Sequence, residues 1–142
     1  MSGITVGIDG SSHSTRALEW AVNEAAVRNA PLTVLTVHVV PQSGWTGSAI
    51  IVPQDPEDLE KERLAVEEMA LKVTRQLGEA RPASVTVRAI IGWPAQELIE
   101  ASRKADLIVV GSRGAGGFAK LVAGSVSNQV VHHAHCPVVV VR

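Results

Sequence analysis

Short runs of β-branched and aliphatic residues alternate along this chain with segments whose apolar residues recur every three to four positions. No other feature restricts the possible folds so sharply. The runs at Ile4–Asp9, Leu32–Val40, Ser84–Ile91, Asp106–Gly111 and Pro137–Arg142 read as strands. Between the first two, Ala17, Leu18, Ala21, Val22 and Ala25 share one helical face, which Pro31 brings to an end. Asp55-Pro56-Glu57-Asp58 is a helix start, with a capping residue, a proline and then acids on the positive dipole end. Leu59, Val66, Met69, Val73 and Leu77 form the buried stripe of that helix, and Gly78 lies near its end. Pro94–Ala101 and Ser125–Ala134 read as two further helices. Several strands are apolar on both faces, so the chain is expected to fold as an α/β domain, a parallel sheet covered by helices on both sides. A length of 142 residues suits one domain, 1–142.

Composition narrows the function. Charged residues make up 19% and the formal net charge is -1, which argues against a nucleic-acid partner. The single cysteine excludes an internal disulfide. No apolar run approaches the roughly 20 residues that cross a bilayer. The N-terminal residues lack a basic region followed by a long apolar stretch, so the expectation is a cytoplasmic protein with no membrane partner.

Chemistry concentrates in the stretch from Gly111 to Ser127, where glycines follow a strand and a Gly-Ser-Val-Ser step opens a helix. Glycines let backbone N–H groups approach an anion, and a helix N-terminus adds donors and a positive dipole end. A Walker A loop is excluded because no glycine in the chain precedes a lysine. A dinucleotide fingerprint is excluded because the first strand turns through Asp9-Gly10-Ser11-Ser12-His13. Ligands of open parallel sheets sit beyond the carboxyl ends of the strands, where the winding reverses. Asp9-Gly10 and Gly111–Gly117 both fall at such ends.

The spacing Gly111-x2-Gly114-x9-Gly124-Ser125 resembles the ATP-binding signature of the universal stress protein family. Four further blocks carry the resemblance: Val6–Ser11, His38-Val39, Ala105–Ser112 and His135–Val141. The resemblance implies a Rossmann-like three-layer α/β/α domain with a five-stranded parallel sheet in the order 3-2-1-4-5. It also implies a stress-response regulator that binds ATP, with Mg²⁺, and hydrolyses it slowly at most. By position, Gly111, Gly114, Gly124 and Ser125 would surround ribose and phosphates, with Val126 and Ser127 adding contacts. Gly7, Ile8 and Asp9 would line the adenosine side, and Val39 would present backbone to the adenine edge. Asp9 suits a hydrogen bond to ribose or adenine, a metal on the phosphates, or a plain turn cap, and the residues do not choose among these. A homodimer through Pro137–Arg142 is implied as well, and the uncharged Val138–Val141 run suits edge pairing. An ATPase or phosphotransferase, or a module for AMP or cyclic AMP, are the alternative readings.

Other residues take lesser parts. Arg113 and Lys120 either supply charge to the phosphates or face solvent. His13 is placed near the rim of the pocket, and His38 within its strand. His132, His133, His135 and Cys136 are read as structural, because Pro137 interrupts helical spacing among them. The irregular stretch Pro41–Asp55 has the length of a functional lid, with Trp45 placed to close over a ligand. The three tryptophans are not interleaved with basic residues, which gives no sign of nucleic-acid stacking. No set of nucleophile, base and orienting acid stands out.

Overall fold

In the computed structural model, which describes residues 2–39, 56–112 and 125–142, alternate side chains of each central strand go to opposite helical layers. The first strand, β1 (Ile4–Ile8), sends Ile4, Val6 and Ile8 into one layer. There they meet Ala17, Leu18, Ala21, Val22 and Ala25 of α1 (Ser12–Arg28). The next strand, β2 (Pro31–His38), adds Leu32 and Val34 to the same layer and turns Leu35 to the other. The second helix, α2 (Pro56–Arg75), closes the first layer with Val66, Ala70 and Val73.

The remaining elements are β3 (Ser84–Ile91), α3 (Pro94–Ala101), β4 (Leu107–Gly111), α4 (Ser125–His133) and β5 (Val138–Val141). Ala95 and Leu98 of α3 and Val130 of α4 meet Leu35, Ile108 and Val110 in the second layer. The sheet has five strands in the order β3-β2-β1-β4-β5, and every recorded pair is parallel. This is the expected order, with helices on both faces.

Among the described residues, differences from expectation fall at element ends. Asp9 and Val39 lie just past their strands, and Pro31 begins β2. Asn29 ends α1 in the left-handed region at φ 49° and donates to the Ala25 and Ala26 carbonyls, a C-cap that asparagine tolerates. Leu77 falls beyond α2, which ends at Arg75, yet it still packs on the core together with Met69. Thr74 is buried there too, its hydroxyl donating to the Ala70 carbonyl at 2.8 Å. The Pro41–Asp55 stretch, Trp45, Arg113, Gly114, Lys120 and Gly124 lie outside the described residues.

Candidate functional site

Parallel strands put all their carboxyl ends on one edge. From β1 the chain crosses to β2 on one side, and from β4 to β5 on the other, so the winding reverses between β1 and β4. The crevice left there is where open α/β sheets bind ligands. After β1 the chain turns through Asp9 and Gly10 into α1. The Ser11 N–H donates to Asp9 Oδ1 at 2.9 Å, an Asx turn, and Gly10 takes φ 85°, which glycine adopts without strain. Ser11 then caps α1, its Oγ accepting from the Ser14 N–H at 3.2 Å. This turn engages one Asp9 carboxylate oxygen locally while Asp9 stays at the strand end.

Two of the glycines expected near the ligand have packing reasons of their own. A Cβ on Gly111 would lie 2.9 Å from both the carbonyl carbon and oxygen of His13. Only glycine therefore lets the first turn of α1 sit against the end of β4. A Cβ on Gly7 would lie 2.8 Å from Leu98 Cδ1, so Gly7 admits α3 on the opposite face of the sheet. The Ile8 side chain is buried in the first layer, which leaves its backbone to face the edge.

The crossover from β4 to β5 sets α4 antiparallel to the strands, with its N-terminus at the same edge. Ser125 there is exposed, Val126 packs partly into the second layer, and Ser127 is buried. Its first-turn N–H groups and hydroxyls form a donor set suited to an anion such as a phosphate. Val39, just past β2, is exposed at 39%. Thus Gly7, Ile8, Asp9, Val39, Gly111, Ser125, Val126 and Ser127 all belong to the carboxyl edge, on or just past β1, β2 and β4 and in the first turn of α4.

The histidines divide. His13 is half-buried in the first turn of α1, and its Nδ1 is enclosed without a hydrogen-bond partner among the described residues. His38 Nδ1 lies 3.5 Å from Glu62 Oε2, and the Thr36 hydroxyl donates to Glu62 Oε1 at 3.3 Å, which links the end of β2 to α2. His135 belongs to the opposite edge, where its N–H donates to Ser102 Oγ at 2.9 Å. Among the described residues no cluster of three metal-ligating side chains occurs.

Glu60 and Cys136, both outside the crevice, have displaced titrations. Arg63 donates to Glu60 and Glu67 on the outer face of α2, and its guanidinium holds the Glu60 carboxyl below the usual range. Burial pushes the Cys136 thiol up, at the amino edge beside β5. One residue at the carboxyl edge was weighed from the sequence only for nucleic-acid stacking. Trp93 occupies the N-cap of α3 with no side-chain capping bond and is 39% exposed, while the Gly92 N–H donates to the His38 carbonyl at 3.1 Å. The available signal was an aromatic residue between a strand and a helix-starting proline, where a hydroxyl or acid is usual.

The family model described as "Universal stress protein family" matches residues 1–142. A universal stress protein of Mycolicibacterium smegmatis is 34% identical over 140 residues, covering 99% of this chain and 48% of the relative. The chain thus spans about half the length of the curated relatives it matches. Among solved structures, universal stress protein UspA from Lactobacillus plantarum aligns at TM-score 0.74 and 25% identity, over 99% of this chain and 97% of the other. A universal stress protein crystallised in complex with cAMP aligns at TM-score 0.73 and 29% identity, over 99% and 96%. No helix among the described residues is long and apolar enough to cross a membrane.

Proposed function

The chain belongs to the universal stress protein family, and from that premise we propose that it is a nucleotide-dependent stress-response regulator that binds ATP at the β1–β4 crevice. One observation carries the reading: Asp9 shares the edge where the winding reverses with Gly111 and the N-terminus of α4, the two ends of the glycine pattern. The donor set fits the group. Ser125, Ser127 and the first-turn N–H groups of α4 would take the phosphates, Asp9 the ribose or a Mg²⁺ ion, and Val39 the adenine edge. Bound Mg²⁺ would neutralise phosphate charge. Gly7 and Gly111 contribute indirectly, by letting α3 and α1 close on the sheet at this edge.

The protein signals by occupancy rather than by turnover, acts in the cytoplasm, and pairs with a second copy through β5. The exposed Val140 on that strand supports pairing. A second reading, cyclic AMP as the ligand, is favoured by the solved neighbour in complex with cAMP. Calorimetric titration with Mg-ATP, AMP and cyclic AMP separates the two. The proposal expects saturable ATP binding with turnover below about one per minute, against a typical enzyme near 10 s⁻¹. Tighter binding of cyclic AMP than of ATP would transfer the assignment to the second reading, and binding of none of the three would overturn both. Light scattering tests the pairing, which a strictly monomeric species would exclude.

A further inference from the structure

We propose that Trp93 is the base-stacking residue of this crevice, its indole taking one face of the purine of a bound nucleotide. The proposal rests on the adenine-nucleotide reading above and assigns the residue that holds its base end.

Placement is the first argument. After β3 the chain does not return beneath β3, because α3 packs on β2 and β1, where Leu98 occupies the space left by Gly7. The connection therefore passes over the carboxyl end of β2. The bond from the Gly92 N–H to the His38 carbonyl, 3.1 Å, continues the β2–β3 ladder by one step and so keeps Gly92 beside Val39 at the start of this connection. Trp93 follows immediately and so lies at the β2 end of the binding edge.

The second argument is energetic. An N-cap is best filled by serine, threonine, aspartate or asparagine, and a residue without a capping side chain costs about 1 kcal/mol. Trp93 makes no such bond, and it leaves a large apolar ring 39% exposed. Trp20, by contrast, packs against the core. The buried part of the ring stabilises the fold, whereas its exposed part and the missing cap do not.

Chemical fit is the third. Strands in a sheet are about 4.8 Å apart, so β4 and β2 ends are separated by about 10 Å. A nucleotide with phosphates at α4 and β4 and ribose at β1 brings its base over β2. Among the described residues, the apolar side chains exposed there are Val39 and Trp93. A flat π surface beside an aliphatic side chain recognises a nucleobase, and such stacking is sequence-tolerant and strong.

The test compares Trp93→Ser, Trp93→Phe and Trp93→Leu with the native protein by thermal melting and by calorimetry with Mg-ATP. Serine supplies a cap but gives up the buried part of the indole, so Trp93→Ser is expected to stay folded with a lower melting temperature while binding ATP roughly tenfold more weakly. Phenylalanine should keep affinity within about threefold. Leucine, apolar but without a π face, should fall with serine. Native affinity in Trp93→Ser, or equal affinity in the phenylalanine and leucine variants, would overturn stacking while leaving the ATP site intact. Failure of the native protein itself to bind ATP would overturn the functional reading first.

Discussion

Gly111→Ala separates a packing glycine from a ligand-cradling one. The added Cβ would sit 2.9 Å from the His13 carbonyl carbon and oxygen and 3.2 Å from its Cβ. Carbon atoms rest at about 3.5–4.0 Å, so the first turn of α1 must retreat from β4 by about half an ångström or more. Overpacking of this kind costs about 1–3 kcal/mol. Removing a glycine from the unfolded chain returns about 0.4–1 kcal/mol. The net loss is then about 1–2 kcal/mol, a fall in Tm of roughly 3–10 °C for a chain of this size. Differential scanning calorimetry without nucleotide reads it directly. His13→Ala in the same chain should not relieve the clash, because the nearest atoms belong to the His13 backbone. Gly7→Ala is different. Its obstruction is the Leu98 methyl groups, so Leu98→Val should recover part of the loss, with a coupling above about 0.5 kcal/mol. A Gly111→Ala protein that melts at or above the native temperature would refute the packing account.

Three further outcomes are expected. Ser102→Ala removes a buried hydroxyl that donates to the Ile99 carbonyl and accepts from the His135 N–H, and urea denaturation should show a loss of about 1–3 kcal/mol. Ser11→Ala removes the α1 cap and should cost about 1 kcal/mol by the same assay. The Cys136 thiol is pushed above its ordinary 9.0 by burial, so above that pH the unfolded chain loses this proton before the folded one does. Stability should therefore hold below about pH 9 and fall as pH rises toward the folded value, and Cys136→Ala should flatten that fall in urea midpoints.

The fold was legible because its signals are local. Hydrophobic period, Pro31 before β2 and Pro94 at the start of α3 each act within a few residues, and burial of β1 and β4 between two helical layers shows as apolar runs. The reasons for individual site residues are long-range. Nothing near Gly7 in the chain announces Leu98, and nothing near Gly111 announces His13; only the closed fold makes those positions intolerant of a Cβ. Sequence reasoning gave both glycines a ligand-facing part, whereas the geometry adds a structural one. Trp93 was read only as giving no sign of nucleic-acid stacking, since its place beside Val39 follows from the packing of α3 on β2 and β1 and from the bond between Gly92 and His38. Leu77 shows the opposite case. Its helical period continued past the true end of α2, yet the residue still reached the core before Gly78 turned the chain at φ 72°.

The central claim, that ATP occupies the β1–β4 crevice, is tested most directly by amide chemical-shift mapping during titration with Mg-ATP. The largest shifts are expected at Asp9–Ser11, Val39, Gly92-Trp93, Gly111-Ser112 and Ser125–Ser127, with little change at Gly3, Asp106 or Cys136 on the opposite edge. Shifts centred on that opposite edge, or none at saturating ATP, would contradict it.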